Sequence, residues 1–455
     1  MARIAESKSA LNVLIIVFVT LGSFSYGYSA SIIASTLGQS HFISYFHLDP
    51  AHDPNANALL GATNGLFQTG GLFGALLIGY CADHFSRRVA IIISSAIICI
   101  GGVLIGTGYS IAGWVGYACY PLNGNLQWRI PLALQAVTPA LLLIGTFLLP
   151  ESPRWLLQND YPDEALVVLK RLHANVHDSE FEFARKEFHD MQQQLNLEKA
   201  VGKDSYLDLL TERSMLKRVA AGFLTMFGAQ CTGTLVINNY GTVLYSNVGY
   251  EGRIAIAFTA GWVTVSIAGN AITAMFVDRL GRVKFMIIGF SGIVCVLIGE
   301  IICLALLEKQ QSYGLSIAAI AFLYGHIAFF SSCIDATTYI YASEIFPTHH
   351  RARGLSLSLS GLFLASLCFT QAATSALAAI SWRYYIVFTV TSALMVVVLF
   401  LYFPETKGLS LEEVAKLFGD EVATEVSASD YGEGGPEAKP IENQEVVSEH
   451  SRKAM

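Results

Sequence analysis

Ten apolar stretches constrain this chain of 455 residues more than any other feature of its sequence. Roughly 20 apolar residues suffice for a helix to cross the hydrocarbon core of a membrane, where no water can pair with the backbone. The stretches run from Leu11 to Ile33, Leu59 to Tyr80, Val89 to Ile111, Ile130 to Leu149, Val219 to Leu244, Ile254 to Val277, Phe285 to Leu307, Leu315 to Tyr341, Leu355 to Leu377 and Tyr384 to Phe403. We therefore predict an all-α, multi-pass membrane protein with about ten transmembrane helices in contact with the lipid bilayer.

Composition excludes several classes of function. Hydrophobic residues make up 53% of the chain and charged residues only 14%, whereas a soluble globular protein carries about 25% charged residues. The formal net charge of -7 comes mainly from the acidic C-terminal end, so nucleic acid is not an expected partner. The eight cysteines include no C-x-x-C pair, and we find no hydrolase, metalloprotease or P-loop motif. We expect no enzymatic activity, no metal and no cofactor.

The distribution of basic residues orients the chain in the membrane. With ten spans and both termini in the cytoplasm, 24 of the 28 Lys and Arg residues lie on the cytoplasmic side. Only Arg129, Arg253, Lys309 and Arg383 then lie outside. Because cytoplasmic loops of membrane proteins carry an excess of Lys and Arg, we predict that both termini are cytoplasmic.

One long connection divides the chain into regions. Residues 1–149 are expected to form a shortened N-terminal helical bundle, and residues 218–418 a C-terminal bundle of six helices. Between them, residues 150–217 are expected to form short cytoplasmic helices, either as a cap that closes against the membrane bundle or as a partner-binding helix. Residues 419–455 are rich in acidic residues, Gly, Ser and Pro, which is typical of a disordered tail.

The two halves share motifs at unequal spacing. The pattern Asp-x-x-x-Arg begins at Asp83 and again at Asp278, an offset of 195 residues. The pair Trp-Arg lies 22 residues before Pro-Glu in both halves, beginning at Trp128 and at Trp382, an offset of 254 residues. The difference, 254 less 195, is 59 residues, which is enough for two membrane crossings. The first half therefore lacks two helices that the second half has.

Six motifs identify a family. In chain order they are GYCADHFSRR, WRIPLALQ with PESPRWLL, AQCTGTLVINNYG, FVDRLGRVKF, YASEIFPTHHRARG and PETKGLSLEEVAKLF. Together they resemble the sugar porter family of the major facilitator superfamily, most of all its fungal hexose transporters. The resemblance covers about Leu11 to Phe418 and implies two helical bundles that rock about a central site. The family's fourth helix and most of its fifth have no counterpart here, and Trp114 to Tyr120 is the candidate remnant of the fifth.

The resemblance implies a gate of charged residues at the cytoplasmic ends of the helices, which pair in only one of two states. The residues are Asp83, Arg87, Arg88, Glu151, Arg154, Asp278, Arg279, Arg282, Glu344, Arg351 and Glu405. Each basic residue in this set is also explained by membrane topology alone. Exposed ion pairs contribute only about 0–1 kcal/mol each, so such a gate requires several pairs acting together.

The resemblance also implies a site for sugar hydroxyl groups near the middle of the membrane. Gln230, Asn238, Asn239 and Tyr240 lie on the stretch that family members use for contact with sugar. Gln230 and Asn238 are eight residues apart, which places them close to one face of a continuous helix. Polar side chains in a span can instead hydrogen-bond to neighbouring helices.

Asp335 is an acidic side chain deep in a predicted span. It precedes Glu344 by nine residues, and these correspond to about 13 Å of helix. Thr338 and Tyr339 share its face by their spacing. Tyr339 lies where many relatives have Trp, so the resemblance implies that it is the aromatic platform for a sugar ring. An ionisable group at this depth is functional by default, either as a substrate acceptor or as a proton site. The alternative is a neutral, packed acid.

Two further features are interpreted without a role in binding. Gln68, Gly70 and Gly74 are expected to mediate helix packing. Glu300 lies toward the outer end of its span, where we expect its carboxyl group to reach water. Neither feature is a candidate for substrate contact.

The function implied is transport of a hexose or related small-molecule sugar across the plasma membrane by a monomer. Many proton-coupled relatives carry Asp directly after Gly-Tyr in the first helix, where this chain has Ser29. Because serine does not exchange a proton in the working pH range, we expect facilitated diffusion rather than symport, unless Asp335 substitutes. The missing helices normally line the cavity, so the competing hypothesis is a non-transporting truncated isoform, or a sensor or regulator of the same family.

Overall fold

The computed structural model describes residues 10–37, 39–48, 53, 55–82, 109–122, 124–146, 150–151, 153–158, 160–172, 181–201, 209, 211–310, 312–347, 350–409 and 411–419. Every regular element among these residues is helical, which confirms the predicted all-α class. The tail expected to be disordered lies outside the described residues, apart from its first residue.

The helices of the first half contain the first two predicted spans. α1 (Ala10–Leu37) and α3 (Ala56–Ala82) have 28 and 27 residues, and each is therefore about 40 Å long. A short helix, α2 (Ser40–Tyr45), lies between them in the chain. The third predicted span, Val89 to Ile111, lies outside the described residues except for its last three, which begin α4 (109–119).

The fourth predicted span, Ile130 to Leu149, is not one continuous helix. It contains the end of α5 (Leu126–Leu134) and all of α6 (Val137–Thr146), which two residues in a turn separate. We attribute the break to Pro139, which has no N–H to donate to the Gln135 carbonyl and whose ring clashes with that oxygen.

Three short helices follow in the region predicted to hold short cytoplasmic helices. They are α7 (Pro153–Gln158), α8 (Pro162–Leu172) and α9 (Glu182–Val201). Pro162 begins α8, where its missing N–H costs nothing. The helices pack on one another through a small apolar cluster of their own, which consists of Leu156, Leu157, Ala165, Val168 and Leu195 with Leu172, Phe188 and Met191 around it.

The helices of the second half account for its six predicted spans. They are α10 (Arg213–Gln230), α11 (Thr234–Asn239), α12 (Gly241–Asn247), α13 (Arg253–Leu280), α14 (Arg282–Lys309), α15 (Tyr313–Phe329), α16 (Asp335–Glu344), α17 (Arg351–Ile380), α18 (Tyr384–Tyr402) and the short α19 (Leu411–Phe418). Among the described residues, five stretches are long and apolar enough to cross a membrane: Arg213–Asn239, Arg253–Leu280, Arg282–Lys309, Tyr313–Glu344 and Arg351–Tyr402. The last stretch holds two helices, because the chain reverses at Ser381–Arg383 and Tyr384 Oη then donates to the Phe369 carbonyl at 3.0 Å.

Gly233 breaks the span predicted from Val219 to Leu244. Its φ of 78° is left-handed, a conformation that glycine adopts without steric cost. The Thr232 hydroxyl donates to the Ala229 carbonyl at 2.7 Å, and His326 Nε2 lies 3.1 Å from the Thr232 carbonyl oxygen. These bonds satisfy carbonyl groups that the break frees, as a backbone away from water requires.

A π-helical turn, Phe330–Ile334, lies between α15 and α16. Such turns are rare and occur often at functional sites. On α13, Thr273 Oγ1 lies 3.0 Å and 2.6 Å from the carbonyl oxygens of Ser331 and Ser332, so a neighbouring helix supports the turn. Gly269 permits this approach, because a Cβ at that position would collide with the Ser331 hydroxyl.

α3 packs along α17 and so joins the two halves of the chain. At one end of the contact, Thr374 Oγ1 donates to the Asn57 carbonyl at 2.7 Å. At the other end, Ser356 Oγ donates to the Ala75 carbonyl at 2.6 Å. The contact therefore extends over 18 residues of α3, which is about 27 Å.

Glycines permit this close packing, but they are not the glycines that we expected. A Cβ on Gly61 would lie 2.7 Å from the backbone oxygen of Gln371. No described atom lies within 4 Å of a Cβ built on Gly70 or Gly74, so their expected packing role stays a prediction. Gly70 is nine residues from Gly61, half a turn around the helix, and therefore lies on the opposite face.

Replacing Gly61 should destabilise the fold more than replacing Gly70. Gly61→Val forces a side chain against the backbone of α17, and such overpacking costs about 1–3 kcal/mol. Gly70→Val has the same helix propensity but meets no described atom within 4 Å. We expect a lower Tm in detergent for Gly61→Val only, and equal Tm values for the two variants would contradict the packing described.

Candidate functional site

Asp335 begins α16 where the π turn ends. Its Oδ2 accepts a hydrogen bond from Asn270 Nδ2 of α13 at 3.2 Å, and its carbonyl accepts one from the Thr338 hydroxyl at 2.9 Å. Thr338 is only 1% exposed, so this predicted site residue is packed rather than open. Asp335 itself is partly exposed and forms no ion pair with any described Lys or Arg. Its carboxyl group therefore has a neutral amide partner and remains available to a ligand.

Three tyrosines lie close enough to the Asp335 carboxyl group for its charge to affect them: Tyr26, Tyr109 and Tyr339. Tyr26 lies on α1, Tyr109 begins α4, and Tyr339 lies on α16, so both halves of the chain contribute. All three side chains are partly exposed. We call Asp335, Asn270 and these three tyrosines the central cluster. Tyr339 was predicted here, whereas Tyr26, Tyr109 and Asn270 were missed.

Asn238, Asn239 and Tyr240 belong to a second polar group, at the contact between α3 and α17. Asn238 Nδ2 donates to Asn239 Oδ1 at 3.1 Å, and Asn239 Nδ2 donates to Asn64 Oδ1 at 3.1 Å. Asn64 Nδ2 in turn donates to Tyr240 Oη at 2.8 Å, and Tyr240 Oη donates to the Thr370 carbonyl at 3.2 Å. Each of these five residues is at most 3% exposed. This geometry is the helix-to-helix bonding that the sequence left open as the alternative to contact with sugar.

Gln230 differs from the three residues just described. It ends α10 and is partly exposed, and its Oε1 has no hydrogen-bond partner among the described residues. The break at Gly233 separates it from Asn238, so the expected single face of one continuous helix does not exist. The Gln230 Oε1 atom is itself buried, as well as unpartnered among the described residues.

Glu300 does not reach water as the sequence suggested. It is 1% exposed and lies on α14, where it interacts with Tyr245 and Tyr385. The sequence predicted exposure from the position of Glu300 near the end of its span. That prediction failed because the apolar pattern carries no information on which neighbours cover a side chain. Glu300 is therefore a buried acid, whereas Asp335 is partly exposed.

Arg282 contacts two other residues that were predicted to belong to the cytoplasmic gate. Its Nε lies 3.2 Å and 3.0 Å from the two Glu344 carboxylate oxygens, and its second terminal nitrogen lies 2.7 Å from Glu344 Oε1 and 2.8 Å from Asp278. The Thr406 hydroxyl adds a bond to Glu344 at 2.8 Å. The Arg282 side chain is 12% exposed and that of Glu344 30%, whereas that of Asp278 is 77% exposed. The forked pair with Glu344 is therefore the stronger contact.

Glu405 caps the start of α14. Its carboxylate accepts hydrogen bonds from the backbone N–H groups of Arg282, Val283 and Lys284 at 2.7, 3.1 and 3.3 Å. An anion is favourable at this end of a helix, where the N–H groups have no helical partner. Glu405 thus ties the end of α18 to the start of α14.

Four further predicted gate residues lie within the described part of the chain. Arg279 is exposed with its guanidinium 5.9 Å from the Phe276 ring centre, Arg351 donates to the Phe346 carbonyl at 3.4 Å, and Glu151 is exposed. Arg154 lies on α7. Asp83, Arg87 and Arg88 lie outside the described residues.

Sequence reasoning missed Arg218 at the same end of the molecule. It is 1% exposed, donates to the Ile345 carbonyl at 2.5 Å, and places its guanidinium 4.9 Å from the Phe418 ring centre. It therefore ties α10 and α19 to the end of α16. Arg218 lies in the basic segment before a span, where membrane topology alone explains a basic residue.

Comparison with known proteins identifies the family. The model of the Sugar (and other) transporter family matches residues 15–110 and 104–418. The chain belongs to this family. It is a sugar porter of the major facilitator superfamily, as its motifs indicated, and a transporter rather than an enzyme.

Relatives of this sugar porter include named fungal transporters. MFS-type transporter criB of Aspergillus cristatus is 29% identical over 456 aligned positions, which cover 89% of this chain and 92% of that protein. The High-affinity glucose transporter of Kluyveromyces lactis is 24% identical, and the alignment covers 90% of this chain and 86% of that protein. The xylose transporter XylE from E. coli, in a partially occluded inward open conformation, superposes with a TM-score of 0.68 at 18% identity, with 87% and 98% covered. The structural likeness establishes the fold.

Glu344 should matter more than Asp278 to the stability of this sugar porter. Glu344→Gln removes the forked acceptor of Arg282, and we expect the free energy of unfolding to fall by about 1–2 kcal/mol. Asp278→Asn removes an exposed pair worth at most about 0.5 kcal/mol. Denaturation midpoints in one detergent check the difference. Equal losses from the two variants would mean that the fork does not exist.

Proposed function

We propose that the chain carries a hexose or related sugar across the plasma membrane by alternating access, as a monomer with both termini in the cytoplasm. The observation that carries this proposal is the central cluster, in which side chains of both halves lie near the partly exposed Asp335. A site of this kind lies where two rocking bundles can expose it to either side in turn. Several relatives are named as sugar transporters, one of them a glucose transporter, which supports a sugar as the substrate.

The central cluster offers the chemistry that a sugar needs. The Asp335 carboxyl group accepts hydrogen bonds from hydroxyl groups, and the Asn270 amide both donates and accepts. Tyr339 offers an aromatic face for the apolar side of a sugar ring. Gln230, whose buried Oε1 has no partner among the described residues, is the further polar contact that we assign to the substrate.

The second polar group and the cytoplasmic gate would hold the two end states. The bonds from Asn64 to Asn239 and Tyr240 connect α3 of the first half to α11 of the second. The fork of Arg282 and Glu344 holds α14 and α16 together within the second half. We propose that partners from the first half, at Asp83, Arg87 and Arg88, complete this gate when the cytoplasmic side closes.

Transport should depend on two residues of the central cluster. Asp335→Ala removes an acceptor of charge-assisted hydrogen bonds, and we expect the apparent affinity for glucose to fall roughly 10- to 100-fold. Tyr339→Ala should lower it by about tenfold through loss of the ring face. Uptake of labelled glucose into vesicles with the purified chain measures both effects. Thr338→Val, which alters a packed hydroxyl, is the control and should retain uptake.

We further propose facilitated diffusion rather than proton symport. The position after Gly27 and Tyr28 is Ser29, which cannot carry a proton at working pH. We therefore expect glucose to equilibrate across vesicles without accumulating when an inward proton gradient is imposed. Accumulation that a proton ionophore abolishes would show symport, and its loss in Asp335→Asn would assign the proton to that group.

A second candidate function is a truncated, non-transporting member of the family. The family model matches in two pieces that meet at residues 104–110, close to the start of α4, which favours a missing segment at this point. The alignment with criB points the same way, because 89% of 455 residues is about 405, so about 51 of its 456 positions have no residue of this chain.

Uptake distinguishes the two candidates. The chain and a chimera that inserts the corresponding segment of the Kluyveromyces lactis glucose transporter near residue 107 are expressed in cells without hexose carriers. Uptake by the chain itself supports the carrier. Uptake by the chimera alone, with both proteins present at the membrane in equal amount, supports the truncated form.

A further inference from the structure

His326 connects the two interruptions of helical structure that lie beside the candidate substrate contacts. Its Nε2 lies 3.1 Å from the Thr232 carbonyl oxygen, at the break around Gly233. Its own carbonyl accepts the backbone N–H of Phe330, the first residue of the π turn. One residue of α15 therefore contacts both the break and the π turn.

The hydrogen bond from the His326 ring stabilises the broken backbone. A carbonyl oxygen only accepts hydrogen bonds, so the proton of this bond lies on Nε2 and the ring donates it. His326 and Thr232 are both 0% exposed, so the bond is shielded from water. Because a buried carbonyl group without a partner is costly, the His326 ring does more here than fill space.

α18 supports the same break less specifically. Thr391 Oγ1 lies 2.8 Å from the Cys231 carbonyl oxygen, but it also lies 2.9 Å and 3.2 Å from the carbonyl oxygens of Val387 and Phe388 in its own helix. A hydroxyl group has one proton to donate, so Thr391 divides it among three acceptors. Among the described residues, His326 Nε2 has the Thr232 carbonyl as its acceptor, and His326 is therefore the more committed donor.

The position of Gln230 depends on this break. Gln230 ends α10 two residues before Thr232, and its carbonyl accepts the backbone N–H of Gly233 at 3.1 Å. A Cβ on Gly233 would collide with the Phe388 ring, so the break is also packed closely against α18. A shift of the Thr232 peptide group would therefore move the end of α10, and the Gln230 side chain with it.

We propose that His326 is a positioning residue of the substrate site, whose bond to the Thr232 carbonyl holds Gln230 in a fixed position relative to Asp335. The inference rests on the proposed function, which assigns Gln230 and Asp335 to the substrate. Asp335 follows directly on the π turn that begins next to His326 in the hydrogen-bond pattern, so both contacts depend on the place of this residue. Contacts that are held in advance lose less affinity to ordering when the substrate binds.

Two substitutions of His326 test the role of its hydrogen bond. His326→Leu keeps a buried apolar side chain but removes the donor, and we expect the affinity for labelled glucose to fall about tenfold. His326→Gln carries an amide N–H group at nearly the place of Nε2, so it should recover most of that affinity. Binding is measured with the full chain in lipid nanodiscs, and each variant is first shown to be folded by its Tm.

A double-mutant cycle separates positioning from packing. If His326 acts through Gln230, His326→Leu should change glucose affinity less than about twofold in a chain that already carries Gln230→Ala. Hydrogen exchange of residues 228–240 is measured without glucose on the same samples. It should be faster in His326→Leu and close to the parent rate in His326→Gln.

Each outcome decides a separate point. A loss of glucose affinity in His326→Leu that His326→Gln reverses, and that disappears in the Gln230→Ala background, supports the inference. Unchanged affinity in His326→Leu overturns the inference and leaves the sugar carrier standing, as does a loss that His326→Gln does not reverse or that persists with Gln230→Ala. A parent chain that binds no glucose overturns the sugar as substrate. The exchange rates then decide the inference, because faster exchange in His326→Leu alone supports it and equal rates in all chains overturn it.

Discussion

In lipid, every polar group of the backbone needs a hydrogen-bond partner inside the protein. This requirement governs the structure. Long helices satisfy it along most of each span, so interruptions require substitutes from side chains. At Gly233 the substitutes are the Thr232 hydroxyl and His326, and at the π turn they come from Thr273. The functional candidates lie beside these interruptions, since Gln230 ends the helix before one and Asp335 begins the helix after the other.

The two halves meet along α3 and α17, and this contact limits how they can move. The glycines at this contact allow the two backbones to approach closely. The second polar group links Asn64 to Asn239 and Tyr240. Such hydrogen bonds, shielded from water, can hold one state and separate in another at a cost of about 1 kcal/mol each. An interface with several of them can therefore switch as a unit.

Much of the fold was predictable, because membrane thickness sets the length of apolar stretches. The spans containing α1, α3 and α13 were found from length alone. The breaks were not found, because the partners that stabilise them lie on other helices. The same reason hid the central cluster: Tyr26 and Tyr109 lie on separate elements, and no spacing along the chain shows that they meet Asp335. Tyr339 was found because its place in a motif resembles that of a family residue.

Access to the central cluster from both sides of the membrane is the claim on which this account depends. The most direct measurement is thiol labelling of Tyr339→Cys in vesicles, with a membrane-impermeant reagent applied from outside or trapped inside, and the parent chain as background for its native cysteines. The account predicts labelling from each side, with each rate lowered by bound substrate. Labelling from one side only, whatever the substrate, would contradict alternating access in this chain.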